Sequence, residues 1–239
     1  MPLPTIATPT YELELPSTGQ KIKYRPFLVK EEKLLVLALE GEDTKEISNA
    51  IKAVLKNCIQ TRSVKVETLP TFDIEYLFLN IRGKSVGEEI DVNLIAPDDG
   101  ETSVPVKISV DEIKVRKNPE HNKQIKLDDS LIMEMKYPSL DQFIKSNFDI
   151  SNETNVNQSF ELIASCIDKI YNEEEVWSAS DVTKKELVEF LEQMNSSQFK
   201  QIEKFFETMP RLSHEITFVN PKTKVESTVV LEGLSSFFA

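Results

Sequence analysis

Apolar residues fall at every second position in several stretches of this chain, and each such run is followed within a few residues by another. Tyr11, Leu13 and Leu15 alternate with Glu12 and Glu14; after Pro16-Ser17-Thr18-Gly19, Ile22 and Tyr24 alternate with Lys21, Lys23 and Arg25. Ile90, Val92 and Leu94 lead through Pro97-Asp98-Asp99-Gly100 to Val104, Val106, Ile108 and Val110. Shorter pieces occupy Ile125 to Leu127 and Leu131 to Met135, and Ile216 and Phe218 pass through Asn220-Pro221-Lys222-Thr223 into Val225 to Leu231. A period of two marks strands with one wet face, and turns this short join only antiparallel neighbours. The constraint is severe. Parallel sheets, with a helix crossing between strands, are excluded for these segments, and the fold class is α+β with hairpins segregated from helical clusters.

Between the hairpins the period changes. After Pro26 and Phe27, Leu34, Leu35, Leu37 and Ala38 cluster behind Glu31 and Glu32, and Gly41 ends the run. The two acids suit the positive end of a helix. Asp43-Thr44-Lys45-Glu46 has capping-box spacing ahead of Ile47, Ala50, Ile51, Val54, Leu55 and Cys58. Pro70 precedes a third helix carrying Ile74, Leu77, Phe78 and Ile81, closed by Gly83 and Gly87. Later, Phe160, Ile163, Ile167 and Ile170 have the spacing of one amphipathic helix. Thr183-Lys184-Lys185-Glu186 opens another with Leu187, Phe190, Leu191 and Met194. Asn195-Ser196-Ser197 re-caps the chain for Phe199, Ile202, Phe205, Phe206 and Met209, and so short a link favours an antiparallel helical hairpin. Asp149 to Asn157, rich in Asn, Ser and Thr, reads as a joint between an N-terminal α+β half, residues 1–150, and a helical half with a final hairpin, residues 151–239.

Chemistry is sparse. Six scattered glycines form no phosphate-binding loop. Cys58 and Cys166 read as small buried residues in helical segments, and His121 and His214 stand alone beside turns or strands. Adjacent acids at Asp98-Asp99, Asp128-Asp129 and Glu173-Glu174-Glu175 sit in polar turns, where charge is solvated rather than paired for catalysis; a hydrolase built from them is the weakest reading. The 28 Lys and Arg against 40 Asp and Glu leave a net charge of −12, which argues against binding duplex DNA by phosphate neutralisation. Lys114, Arg116, Lys117, Lys123 and Lys126 form the local basic cluster, read as a solvated loop. No apolar run has the length of a membrane span or a signal peptide, so a cytoplasmic protein without membrane contact is expected.

Two features point to partners. The helix from Phe199 to Phe206 has a wide apolar face, and the chain ends in Leu234, Phe237 and Phe238, where polar residues are usual. Phe199, Phe206, Leu234, Phe237 and Phe238 are therefore the candidate partner-binding residues, with inward packing as the alternative for the last pair.

Pro9 to Gly19, Ile22 to Lys33 with Arg25-Pro26-Phe27 as the most specific stretch, Phe72-Asp73-Ile74-Glu75-Tyr76-Leu77-Phe78, Lys136-Tyr137-Pro138-Ser139 and Phe205-Phe206-Glu207-Thr208-Met209-Pro210 resemble the baseplate hub subunit family of T-even-type contractile-tailed phages. The resemblance covers most of the chain. It implies a structural, non-catalytic role in the central hub of the tail baseplate, with other hub and tail proteins as partners and no catalytic residues to transfer. A transient assembly chaperone, holding for instance the tape measure protein, is the alternative; assembly takes place in the host cytoplasm in either case. The resemblance also implies that the turns at Ala96 to Gly100 and Val219 to Thr223 can carry cysteine pairs suited to zinc ribbons, whereas this sequence has none there. No cofactor is expected. Elemental analysis of the purified protein should find no stoichiometric zinc; one zinc per chain would overturn that expectation.

Overall fold

The alternating runs pair antiparallel throughout the computed structural model, which describes residues 6–41, 44–139, 142 and 156–237. β1 (Tyr11–Glu14) pairs with β2 (Lys21–Tyr24), and β3 (Glu89–Ile95) with β4 (Ser103–Ser109). β11 (Glu226–Glu232), β10 (Arg211–Val219) and β5 (Lys114–Arg116) form a three-stranded sheet in that order. A four-stranded sheet runs β6 (Gln124–Lys126), β7 (Ile132–Met135), β8 (Ile167–Tyr171), β9 (Val176–Ser178). Six helices stand beside these small sheets among the described residues, and the fold is α+β, as the turn lengths require. The helices are α1 (Val29–Glu40), α2 (Thr44–Cys58), α3 (Thr71–Val86), α4 (Val156–Ser165), α5 (Lys184–Glu192) and α6 (Ser196–Thr208).

The chain divides into two units: Met1–Arg116 with Arg211–Ala239, and Lys117–Pro210. This differs from a boundary near residue 150. The cause is long-range pairing: Arg211, Leu212 and Ser213 lie opposite Arg116, Val115 and Lys114, so the final hairpin joins the first unit. Most of the proposed joint, Asp149 to Asn157, lies outside the described residues, as does Asp43 of the second helix's capping box.

In the first unit, Leu79 of α3 packs with Ile90, Val92 and Leu94 of β3, Ile108 of β4, Leu212, Ile216 and Phe218 of β10, and Phe237. Gly83 lies inside α3 rather than closing it. A Cβ there would meet Val110 at 3.2 Å, so the glycine lets the chain after β4 approach the helix; Gly87, at φ 142, is the cap.

One turn design recurs at three hairpin tips. Gly19 N–H bonds Leu15 O at 2.8 Å, Gly100 N–H bonds Ala96 O at 2.9 Å, and Lys224 N–H bonds Asn220 O at 2.9 Å. Each loop places proline second, where its fixed φ suits a turn, and a left-handed residue fifth: Gly19 at φ 72, Gly100 at 69 and Lys224 at 65. A carboxylate clamps every tip. Buried Asp73 of α3 accepts the Ser17 N–H at 3.0 Å and its hydroxyl. Both oxygens of Asp98 accept from Asn220 Nδ2, at 3.0 and 3.1 Å, and Oδ2 also accepts the Thr223 hydroxyl. The second and third tips are thereby joined, a link that turn chemistry within each hairpin does not reveal. Asn220 is fully buried yet satisfied, because its Oδ1 accepts Lys222 N–H at 2.9 Å.

The second unit overturns one helix. Helical structure stops at Ser165, and Ile167 and Ile170 belong to β8, between β7 and β9. Glu134 pairs with Lys169 but Met135 with Ile167, so Asp168 is an extra residue in the strand. Such a bulge turns residues three apart to one face, and that spacing imitates a helix. Cys166 therefore sits between helix and strand. Thr183 and Asn195 cap α5 and α6 through capping boxes. α5 makes its close approach to α4 rather than to α6. The buried core gathers Ile125, Met133, Met135, Ile167, Ile170, Leu187, Leu191, Ile202 and Phe205.

Lys224 is the one described non-glycine residue in the left-handed region. Relief of its strain predicts that Lys224→Gly raises the unfolding free energy by about 0.5–1 kcal/mol, while Gly100→Ala lowers it by about 1 kcal/mol, both read by urea denaturation.

Candidate partner-binding surfaces

Glu31 is the third residue of α1, a position from which a carboxylate reaches back to the residue before the helix. Its Oε2 accepts the Leu28 N–H at 2.9 Å, and its two oxygens take Arg25 Nη2 at 2.9 Å and Nη1 at 3.3 Å. Lys30 adds a contact at 3.5 Å. Glu31 is 1% exposed. Burial pushes its carboxyl upward, but the Arg25 guanidinium and the Leu28 N–H outweigh burial and hold it below the ordinary glutamate range.

The same segment binds the other helices of its unit. Arg25 N–H donates to Cys58 O at 3.0 Å, the Cys58 thiol approaches Pro26 O, and Phe27 N–H donates to Ser85 Oγ at 2.7 Å. Phe27 also lies 5.6 Å from the Phe78 ring.

Anchored in this way, α1 buries only a narrow stripe among its described side chains. Glu31 and Ala38 are buried and Leu35 is half-buried. Leu28, Val29, Leu34, Val36 and Leu37 are exposed, Val29 at 81% and Leu37 at 55%. The sequence reading grouped Leu34 and Leu37 with Leu35 and Ala38 in one apolar cluster. Apolar residues spread around the whole helix were the available signal, since a core-facing helix keeps them to one stripe.

A second surface lies in the other unit. β9 ends its sheet with Val176 and Trp177 exposed, beside an apolar groove of about 290 Å³ lined by Leu131, Ile170, Trp177, Val182, Leu187 and Phe190. Exposed strand edges are templates for another chain. The strand is too short to show a period of its own.

The residues singled out from sequence are distributed differently. Phe199 and Phe206 on α6 are half-buried and pack against the core of their unit, Phe199 stacked on Phe160 at 5.5 Å and Phe206 edge-on to Phe205 at 5.2 Å. Phe237 is 1% exposed and belongs to the core of the first unit, so its ring is covered in this conformation. Leu234 starts a short 3-10 helix, and Phe238 lies outside the described residues. Phe199 and Phe206 belong to the second unit and Phe237 to the first.

The polar groups build structure. Asp98, Asp99 and Asp128 each accept hydroxyl and N–H donors of their own or a neighbouring turn, which holds their carboxyls below the usual aspartate range. A general acid needs the opposite shift. Burial pushes both cysteine thiols up to about 11, so they are poor nucleophiles. Lys123 lies over the Tyr137 ring at 4.3 Å, and Lys126 pairs with Asp129 at 3.3 Å, so these two members of the basic cluster have partners within their own unit.

His121 stacks on Tyr137 and lies against Phe205. Because Thr208 Oγ1 donates to Lys204 O at 2.6 Å, the His121 Nδ1–H donates to that hydroxyl at 3.0 Å. Its Nε2 is buried without a partner, and burial, then the Lys123 charge, lowers its pKa. Among the described residues no three His, Cys, Asp or Glu side chains gather to hold a metal ion. None of the described helices is long and apolar enough to cross a membrane.

A family model described as T4 bacteriophage base plate protein matches residues 8–239. No curated protein and no solved structure matches the chain.

The Glu31 carboxylate, with its pKa depressed in the folded state, stabilises the fold above its unfolded pKa and loses that effect as pH falls through the folded value. Glu31→Gln should lower the unfolding free energy by about 3 kcal/mol at pH 7, with the gap to the unsubstituted protein narrowing toward pH 3, measured by urea denaturation across that range.

Proposed function

The chain belongs to the T4 bacteriophage base plate protein family, and from that membership we propose that it is a non-catalytic component of the central hub of the contractile-tail baseplate. The family match, running from residue 8 to 239, carries this reading: the matched residues include both units, so both are cast in the structural role. The apolar outer face of α1 and the groove beside β9 supply surfaces suited to contacts with other hub and tail proteins. The ionised turn carboxylates and the high-pKa thiols fit a protein that binds rather than transforms. Acidic charge suits protein partners and opposes nucleic-acid backbones.

The second reading is a tail-assembly chaperone that leaves before the particle is complete, and the tape measure protein is then a candidate client. The exposed apolar face of α1 favours it equally, since both roles need a sticky surface in the free protein. In both readings the chain works in the host cytoplasm during assembly; only the hub component remains in the virion baseplate.

Mass spectrometry of purified mature virions separates the two. A hub component is present at a fixed number of copies per tail. Recovery of the chain from assembly intermediates but not from finished particles selects the chaperone, and absence from both rejects each reading.

A further inference from the structure

Lys33, Val36, Leu37 and Glu40 lie within an arc of about 100° on the outer side of α1, at the spacing that brings residues three and four apart onto one face. All four are exposed, Val36 at 48%. Lys30 of the same helix contacts Glu31, but the side chains of Lys33 and Glu40 have no hydrogen bond or ion pair among the described residues. Glu40 also stands at the carbonyl end of the helix, where its charge opposes the dipole. The face thus carries an apolar centre, an unpaired cation on the amino side and an unpaired anion on the carboxyl side.

That pattern is complementary to itself when reversed. We propose that the outer face of α1 binds a second copy of this chain, the two α1 helices running antiparallel across a two-fold axis between Val36 and Leu37. Val36 of each copy then meets Leu37 of the other, and Lys33 of each meets Glu40 of the other, so both ion pairs form by symmetry. The antiparallel neighbour also brings its amino-terminal half to the carbonyl end where Glu40 stands. The inference stands independently of the hub assignment, because it uses only this helix and its charges.

One helix pair buries less than a standard interface of about 1,600 Å², so the expected dimer is weak, with a Kd on the order of 10 μM. Sedimentation equilibrium of the full chain over a concentration series measures it. Val36→Asp with Leu37→Asp, both at exposed positions, should give a folded monomer by circular dichroism. Lys33→Glu alone and Glu40→Lys alone should each weaken the dimer about tenfold. An equimolar mixture of those two variants should recover a dimer tighter than either variant forms alone, since every charge in the mixed pair meets its opposite. The proposal fails if the unsubstituted chain is monomeric at about 0.5 mM, where a contact of this kind is saturated, which would leave the face to a different protein. It also fails if the paired aspartates leave the dimer intact, or if mixing brings no recovery.

Discussion

A guanidinium and a carboxylate removed from water together set the arrangement of the first unit. Charges buried in this way are tolerated only when every oxygen and proton finds a partner. Glu31 meets that demand by taking two Arg25 nitrogens and the Leu28 N–H. The geometry of the pair fixes how α1 leaves β2, which apolar burial along the narrow inner stripe of α1 would do poorly. The next two residues extend the junction: Pro26 O faces the thiol of α2, and Phe27 is hydrogen-bonded and packed against α3. Three successive residues therefore set three helices against one hairpin. An α1 held by its polar end can leave its apolar flank free for a partner.

The hairpin tips follow the same economy with hydrogen bonds. Each tip is closed by a backbone bond and fixed by an aspartate from outside or within the turn. The donors around Asp98 and Asp99 favour their ionised forms, so the second and third tips share with the Arg25 pair a dependence on neutral rather than acidic conditions. The Asp98 to Asn220 link makes two hairpins, far apart in sequence, one structure at their tips.

Local signals were legible and distant ones were not. The three long hairpins could be read because a period of two, a proline and a left-handed residue are all properties of neighbouring residues. The caps at Thr183 and Asn195 could be read for the same reason. Ile167 and Ile170 misled because a bulge at Asp168, set by pairing with β7, gave a strand the spacing of a helix. The units divide away from residue 150 because Lys114–Arg116, which looks like a charged loop in the sequence, pairs with β10. Leu34 and Leu37 could not be told from Leu35 and Ala38, because sequence records that a residue is apolar and not which side of its helix is covered. The terminal Phe237 was ambiguous from sequence, since burial and docking demand the same side chain.

The pairing of β5 with β10 has a consequence for the time order of folding. A nascent chain emerges from its amino end, yet the first unit needs Arg211–Ala239 to complete its sheet and to cover Leu79 with Phe237. Lys117–Pro210 is continuous and can close on itself while the remainder is still being made. The segment synthesised first is thus the one finished last. Until the final strands arrive, the face of α3 and β3 that will hold them lacks the residues that complete its core.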